Sequence, residues 1–278
     1  MLKLKTTKRK SLLYKSEVEY ADFCLNHVEG CSHGCTFPCY AFNMAKRFGK
    51  VKDYSDWIRP KLVSNVLELL DQEIPRYKDQ IKFVHLCFMT DPFMYKYKEV
   101  QDMTLKIIEK LNKNNIKSTV LTKGIYPKVL ANKEKYGNNN EYGITLVSLD
   151  NGFKTSFEPY SAPYTDRIEA LKHLHDKGLK TWVSMEPYPT PNLVEQNLQK
   201  ILSKIHFVDK IIFGKLNYNV ISSQFKDNGI FYEDCARQII EFCKNNNIDC
   251  HIKNGTQKTY NKNTEVLFER VCNPPLTV

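Results

Sequence analysis

The stretch Gly30-Cys31-Ser32-His33-Gly34-Cys35-Thr36-Phe37-Pro38-Cys39-Tyr40 places three evenly spaced cysteines in one short loop. A strand-like segment, residues 19–26, precedes the loop. Cysteines so close together are typical of metal ligands when no secretory context favours disulfides. Three thiolates suit an iron–sulfur cluster that keeps one iron open, and an open iron can bind a substrate or cosubstrate.

Two other interpretations of the cysteine loop stay open. A structural zinc site normally needs four ligands, commonly from two C-x-x-C pairs. The chain has no second pair, although Cys24, His27 or His33 offers a fourth ligand. A disulfide suits the loop poorly, because three cysteines leave one over.

Length and composition predict one large α/β domain. The chain has 278 residues, of which 42% are hydrophobic, so a packed core is expected. We expect a basic N-terminal arm over residues 1–17 and a single domain over residues 18–278. The nine cysteines are odd in number, and no apolar segment follows the basic start. These features predict a reducing cytoplasm as the setting, with no membrane association.

The formal net charge of +10 favours an anionic partner, such as nucleic acid, a nucleotide or a phosphorylated metabolite. A lysine-rich solvated surface explains the same charge without any partner. Composition alone leaves both explanations open.

Strand-like and helix-like runs alternate along the chain. After residues 19–26, strands are predicted at residues 83–89, 117–121, 142–148, 180–185, 210–213 and 248–252. Helices are predicted at residues 60–74, 97–114, 126–136, 164–177, 192–205 and 232–246. Asn114-Asn115, Gly178 and 245–247 are predicted helix stops. About six βα units follow one another, and such alternation predicts parallel strands joined by right-handed crossovers.

Polar residues follow almost every predicted strand, where parallel barrels carry their chemistry. The segments are Thr90-Asp91-Pro92, Thr122-Lys123-Gly124, Ser148-Leu149-Asp150, Glu186-Pro187, Gly214-Lys215-Leu216-Asn217 and Lys253-Asn254. Each one alone is also explained as a turn or a helix cap. For Glu186 we favour a role in the site, because a carboxylate directly after an apolar strand is costly to bury without a partner.

The motifs together resemble the radical S-adenosylmethionine (SAM) superfamily, and within it the spore photoproduct lyase-like, or DNA-repair-photolyase-like, subgroup. The similar segments are Gly30 to Ala41, Thr90-Asp91-Pro92-Phe93, Leu121-Thr122-Lys123, Ser148 with Asp150, and Glu158-Pro159. The resemblance spans about residues 18–255 and is strongest in the first half.

This resemblance implies a partial (β/α)6 TIM-like barrel of parallel strands with a [4Fe-4S] cluster held by Cys31, Cys35 and Cys39. It implies SAM as cosubstrate, cleaved reductively to a 5′-deoxyadenosyl radical that takes hydrogen from the substrate. The residues expected to contact SAM are Asp91, Lys123, Ser148, Asp150 and Tyr40. The expected catalytic residues are Cys87, as a hydrogen donor, and Glu186. A buried, unreactive thiol is the competing interpretation of Cys87.

The cysteine loop departs from the superfamily pattern at one point. The usual spacing is C-x3-C-x2-C, whereas this chain has C-x3-C-x3-C with Pro38 before the last cysteine. Proline removes one backbone N–H that is otherwise available to bond to a cluster sulfur or to adenine. Adenine contacts from Phe37 or Tyr40 therefore need structural evidence.

The substrate stays open at this stage. The resemblance implies an external electron donor of the flavodoxin or ferredoxin type, and nucleic acid carrying a DNA lesion or a base to be modified. One alternative is a radical SAM enzyme acting on a small nucleotide or metabolite. The other is a zinc-containing protein that binds nucleic acid without catalysis.

Overall fold

The computed structural model describes residues 4–16, 21–37 and 39–257. Within these ranges the strands are β1 (Lys5–Thr7), β2 (Leu13–Lys15), β3 (Phe23–Leu25), β4 (Val28–Glu29), β5 (Lys61–Val63), β6 (Phe83–Leu86), β7 (Lys117–Thr122), β8 (Glu141–Thr145), β9 (Lys180–Tyr188), β10 (Lys210–Lys215) and β11 (Asp249–Ile252).

The helices alternate with these strands. They are α1 (Tyr40–Arg47), α2 (Tyr54–Trp57), α3 (Val66–Tyr77), α4 (Lys98–Lys113), α5 (Lys133–Tyr136), α6 (Asn151–Phe157), α7 (Tyr164–Asp176), α8 (Leu198–Lys204), α9 (Val220–Ser223) and α10 (Asn228–Asn246), with a 3-10 turn at Lys128–Ala131. In the described part of the chain, no helix combines the length and the apolar character that crossing a bilayer requires.

The chain divides into two compact units, and the first comprises Met1–Ile144 and Lys154–Lys180. Its main sheet has the order β2-β3-β6-β7-β8, with β2 antiparallel to β3 and the other pairs parallel. A second sheet has the order β1-β5-β4. Helix α4 contributes one apolar face to the core, because Val100, Thr104, Ile107, Ile108 and Leu111 recur at helical spacing and are fully buried.

The second unit comprises Thr145–Phe153 and Thr181–Val278. Strands β9, β10 and β11 pair in parallel there, with Ile211 opposite Val183 and Cys250. Helix α10 packs against β10 and β11, and α8 packs against α10. The parallel strands of both units confirm the predicted α/β class, while the single domain predicted over residues 18–278 stays a prediction.

Backbone conformation explains where the predicted helices and one strand end. Asn115, Gly178 and Asn247 all have positive φ, between 55° and 72°, directly after helices. Glycine and asparagine tolerate this left-handed conformation, so the predicted helix stops are confirmed. Strand β6 ends at Leu86 rather than at residue 89, because Cys87 adopts φ 59°.

Several predicted boundaries were wrong. Residues 61–63 form β5 before α3 begins, and residues 126–136 form two short turns of helix rather than one helix.

The predicted arm, residues 1–17, contributes β1 and β2 over its described part. Two contacts stabilise these strands: the backbone N–H groups of Leu12 and Leu13 donate to the Glu73 carboxylate, and Arg9 pairs with Glu29 at 3.0 Å.

Candidate functional site

The three cysteines lie in a loop of the first unit between β4 and α1, and backbone contacts on both sides hold it. The Cys31 N–H donates to Trp57 O at 2.9 Å, and the Thr36 N–H donates to Phe157 O at 2.9 Å. The Tyr54 hydroxyl donates to Cys35 O at 2.7 Å. Pro38, the departure from the superfamily spacing, lies outside the described residues, so its predicted effect stays a prediction.

The three thiols lie close enough together to interact electrostatically. All eight cysteines in the described ranges are free, and Cys31, Cys35 and Cys39 each influence the Tyr54 phenol electrostatically. Burial raises the pKa of Cys31 well above its usual range, and it raises the pKa of Cys35 to about 11 although Lys123 opposes the shift. Buried thiolates need positive charge nearby, and iron ions supply it. The donor set therefore fits an iron–sulfur cluster.

A single metal ion fits the loop less well. Within the described residues, no group of three or more His, Cys, Asp or Glu side chains is placed to hold one ion. The thiolates of a cluster bind different irons, so they need not converge on one point. The fourth zinc ligands considered have other surroundings: His27 contacts Thr104 Oγ1 at 2.8 Å, and Cys24 is buried in β3.

His33, between the first two cysteines, connects their loop to Asp91. Its Nε2 accepts the Tyr95 N–H at 3.1 Å, and its Nδ1 lies 3.5 Å from Asp91 Oδ2. Asp91 is buried and also accepts from the Thr122 hydroxyl at 2.6 Å and from the Lys123 N–H at 2.7 Å. These contacts favour a structural role for Asp91, while the predicted contact with SAM stays a prediction.

Lys123 lies beside the cysteine loop. Its Nζ is 3.5 Å from Cys35 Sγ, 3.5 Å from Glu158 Oε1 and 5.2 Å from the centroid of the Phe37 ring. Glu158 in turn accepts from Arg167 Nη2 at 2.6 Å. Both members of this pair have fully buried side chains.

Sequence reasoning did not select Glu158 or Arg167 as site residues. One signal was present for Arg167: it falls on the buried face of α7 with Tyr164, Leu171 and Leu174. A charged residue on an apolar helix face indicates a buried partner. The sequence does not show which partner, because Glu158 and Lys123 come from different segments.

Three other predicted residues of the first unit lie around the loop. Tyr40 begins α1, is 53% exposed and meets Phe88 edge to face at 6.4 Å. Phe37 stacks on Phe157 at 5.2 Å, so its ring has a protein partner. Cys87 is buried in an apolar cluster with Met94 and Val100, and its Sγ is 3.3 Å from His27 Nδ1. These surroundings favour packing for Cys87, and the predicted catalytic role stays a prediction.

The other predicted residues belong to the second unit. Ser148 is fully buried, and its Oγ accepts the Asp150 N–H at 3.0 Å. The Asp150 carboxylate accepts the Phe153 N–H at 2.6 Å near the start of α6. Glu186 lies on β9 and pairs with Lys253 Nζ at 3.0 Å. Their roles toward SAM and substrate stay predictions.

A cavity of about 730 Å³ opens in the first unit beside the cysteine loop. Gly30 of that loop and Phe88 both line it. Its charged lining comprises four basic residues, Arg9, Lys50, Arg59 and Lys61, and two acidic residues, Glu29 and Asp56. The aromatic rings of Tyr14, Phe48 and Trp57 also line it. Such a surface suits a ligand that carries negative charge and a flat ring.

Two uncharacterised proteins are similar to this chain in sequence. ORF301 of Acidianus two-tailed virus is 25% identical over 192 residues, which cover 66% of this chain and 61% of the viral protein. MJ0683 of Methanocaldococcus jannaschii is 25% identical over 190 residues, which cover 68% of each chain. The chain thus spans about three fifths of the length of its viral relative.

Solved structures of spore photoproduct lyase are similar in fold. The complex with dinucleoside spore photoproduct has a TM-score of 0.65 and 12% identity, covering 90% of this chain and 81% of the lyase. A mutant with bound AdoMet and the same photoproduct has a TM-score of 0.64 and 13% identity, covering 88% and 80%. This likeness supports the predicted partial barrel of parallel strands, and no closed barrel is seen in the described residues.

The model of the family described as the Radical SAM superfamily matches residues 25–205, which is well over half of the chain and includes all three loop cysteines. The chain therefore belongs to the radical SAM superfamily, whose enzymes use a [4Fe-4S] cluster and SAM.

Proposed function

We propose that this radical SAM enzyme holds its cluster through Cys31, Cys35 and Cys39 and takes hydrogen from an anionic substrate, with nucleic acid as the preferred class. The observation that carries the proposal is the loop that brings three free cysteines together, with Lys123 Nζ 3.5 Å from Cys35 Sγ. Three thiolates leave one iron of a four-iron cluster without a protein ligand. When bound, the cluster and SAM supply reductive cleavage to a 5′-deoxyadenosyl radical.

The chain's own residues bind and orient the cosubstrate in this proposal. Lys123 pairs with the methionine carboxylate, since its ammonium group is held beside Cys35. Tyr40 contacts SAM from the start of α1, and Ser148 and Asp150 bond to the ribose hydroxyls. Asp91 holds His33 and the Lys123 backbone in place, which also positions the cysteine loop.

The cavity supports an anionic substrate. Its basic residues outnumber its acidic ones by four to two, and Arg9 already pairs with Glu29. Lys50, Arg59 and Lys61 therefore give the cavity a positive potential that attracts phosphates. Aromatic side chains in the same cavity suit stacking of a base. The similar lyase structures contain dinucleoside spore photoproduct, and a DNA lesion or modifiable base is the corresponding proposal for this chain.

A small nucleotide or metabolite is the second candidate, because 730 Å³ also holds a free mononucleotide. The non-catalytic zinc protein is not retained, because the chain belongs to a superfamily of enzymes. Radical SAM enzymes require an external electron donor, and we propose one of flavodoxin or ferredoxin type. The free thiols of the described residues suit a reducing compartment such as the cytoplasm.

The first experiment is anaerobic reconstitution with iron and sulfide, followed by dithionite and SAM. We expect a bound cluster and formation of 5′-deoxyadenosine, both lost in Cys35→Ala. Cys243→Ala is the matched control, since this buried cysteine lies on α10 in the second unit. A wild-type protein that assembles no cluster would contradict the proposal.

Substrate class is tested separately by anisotropy with a labelled single-stranded oligonucleotide. We expect binding that weakens as salt rises, because phosphate contacts release counterions. Lys61→Glu should weaken it, while Lys128→Glu, on an exposed turn, should not. If an unlabelled mononucleotide competes with the labelled oligonucleotide as effectively as the unlabelled oligonucleotide does, the small-molecule candidate is favoured.

A further inference from the structure

A chain of charged side chains runs from helix α7 to the cysteine loop. Arg167 Nη2 donates to Glu158 Oε2 at 2.6 Å, and Glu158 Oε1 lies 3.5 Å from Lys123 Nζ. The same Lys123 Nζ lies 3.5 Å from Cys35 Sγ. Arg167 and Glu158 are fully buried, and the Lys123 side chain is 15% exposed.

The far end of this chain is held firmly. Arg167 Nε donates to Ala162 O at 2.9 Å, and its guanidinium lies 4.9 Å from the centroid of the Tyr164 ring. The Ser161 hydroxyl lies 3.1 Å from Glu158 Oε2 and accepts from Arg167. Oε2 of Glu158 is thus engaged by Arg167 and Ser161, and Oε1 is the oxygen that faces Lys123.

Lys123 is held at its backbone as well as at its ammonium group. Its N–H donates to Asp91 Oδ2 at 2.7 Å, and its carbonyl accepts the Ala162 N–H at 2.9 Å. A lysine and an arginine both face the one carboxylate of Glu158. The three side chains, two cations and one anion, therefore carry one net positive charge.

Burying three charges is a costly way to stabilise a fold, because desolvation offsets most of the attraction between them. Hydrogen bonds to ligand sulfurs and nearby charge are, however, main determinants of an iron–sulfur reduction potential. We propose that Arg167 and Glu158 are positioning residues that hold the Lys123 ammonium against Cys35 Sγ, and that this contact raises the reduction potential of the cluster. The inference rests on the proposed function, in which Cys35 is a cluster ligand.

The test is a potentiometric titration of the reconstituted cluster, followed by electron paramagnetic resonance without SAM. Lys123→Met should make the midpoint potential more negative. We expect about a tenfold lower ratio of reduced to oxidised cluster at a fixed potential, which is ~59 mV for one electron. Lys123→Arg keeps the charge and should stay near the wild-type midpoint. An unchanged midpoint in Lys123→Met would overturn the proposal.

A double-mutant cycle tests positioning. Glu158→Gln should shift the midpoint in the wild-type background and much less in the Lys123→Met background, because its effect passes through Lys123. Equal shifts in both backgrounds would mean that Glu158 acts through its own charge and would overturn the positioning role. Lys128→Met is the matched control, since Lys128 is exposed on the 3-10 turn, and this substitution should leave the midpoint unchanged.

A second neutral substitution at Lys123 covers the case in which Lys123→Met assembles little cluster. Lys123→Gln keeps a polar side chain, and its midpoint should fall like that of Lys123→Met. The outcomes separate the two proposals. If the wild-type protein gives no cluster signal, the proposed function is contradicted. If the wild-type cluster is normal and no Lys123 variant changes its midpoint potential, only this inference is contradicted.

Discussion

The Nε2 atom of His33 accepts the backbone N–H of Tyr95 at 3.1 Å, so its other ring nitrogen, Nδ1, carries the proton and faces Asp91. Burial lowers the pKa of His33 to about 4, although Asp91 opposes the shift. The ring is therefore neutral at pH 7, and its 3.5 Å approach to Asp91 is a polar contact rather than an ion pair. This histidine thereby fixes the loop between Cys31 and Cys35.

We expect His33→Leu to lower both stability and iron content. The substitution leaves the Tyr95 N–H without its partner, which costs about 1–3 kcal/mol in a buried site. Denaturant unfolding and iron per chain measure the two effects. His206→Leu, at an exposed position, is the control and should change neither. Wild-type iron content in His33→Leu would show that the loop does not depend on this contact.

Gly34→Ala should be more harmful than Gly49→Ala. Both glycines have positive φ, 69° and 66°, so each alanine incurs about 1–2 kcal/mol of backbone strain. Only at Gly34 would the added Cβ meet a neighbour, the Tyr160 ring at 2.7 Å, whereas Gly49 has nothing within 4 Å. The difference in unfolding free energy between the two variants isolates this contact, and Tyr160→Ala should remove most of it. Equal losses at both glycines would contradict the close packing.

We expect Glu158 to make the free energy of unfolding depend on pH in the acid range. Burial alone would raise its pKa, but Lys123 and Arg167 lower it to about 2, below the ordinary value of 4.5. A depressed folded pKa stabilises the fold above pH 4.5, and this contribution is lost as pH falls toward 2. The lowering corresponds to roughly 3 kcal/mol.

The pH dependence is measured by denaturant unfolding of iron-free protein, so that metal loss does not contribute. Between about pH 5 and 2, wild type should lose stability more steeply than Glu158→Gln. Above pH 5 the difference between the two proteins should be constant. Glu109→Gln, on helix α4, is the control and should change the slope far less. Parallel curves for wild type and Glu158→Gln would refute the expectation.

Glu186→Gln should lower turnover with little loss of stability. The side chains of Glu186 and Lys253 are 27% and 24% exposed, so their ion pair contributes less than about 1 kcal/mol. A catalytic role predicts at least about a tenfold loss of substrate-dependent 5′-deoxyadenosine formation. Lys253→Met breaks the same pair but keeps the carboxylate, so its turnover should fall less. Equal losses in both variants would assign the effect to the pair instead.

The cysteine loop and the helix stops were predictable because each depends on neighbouring residues. Cys31, Cys35 and Cys39 lie within nine positions, and the helix stops at Asn115 and Gly178 depend on one residue's φ. Helix 60–74 was predicted too long, because its first residues pair with β1, more than 50 positions earlier. Pairing over such distances leaves little signal in local periodicity.

The amino-acid sequence by itself determined the alternation of strands and helices, the loop that carries the thiols, and membership of the superfamily. These follow from side-chain period and from short motifs, which are properties of consecutive residues. Tertiary structure alone decided that Arg167, Glu158 and Lys123 contact one another in turn and that Lys123 reaches Cys35, and that Asp91 holds His33. The physical reason is that buried charges need partners, and only the folded chain brings residues as distant as 35 and 167 close enough to provide them.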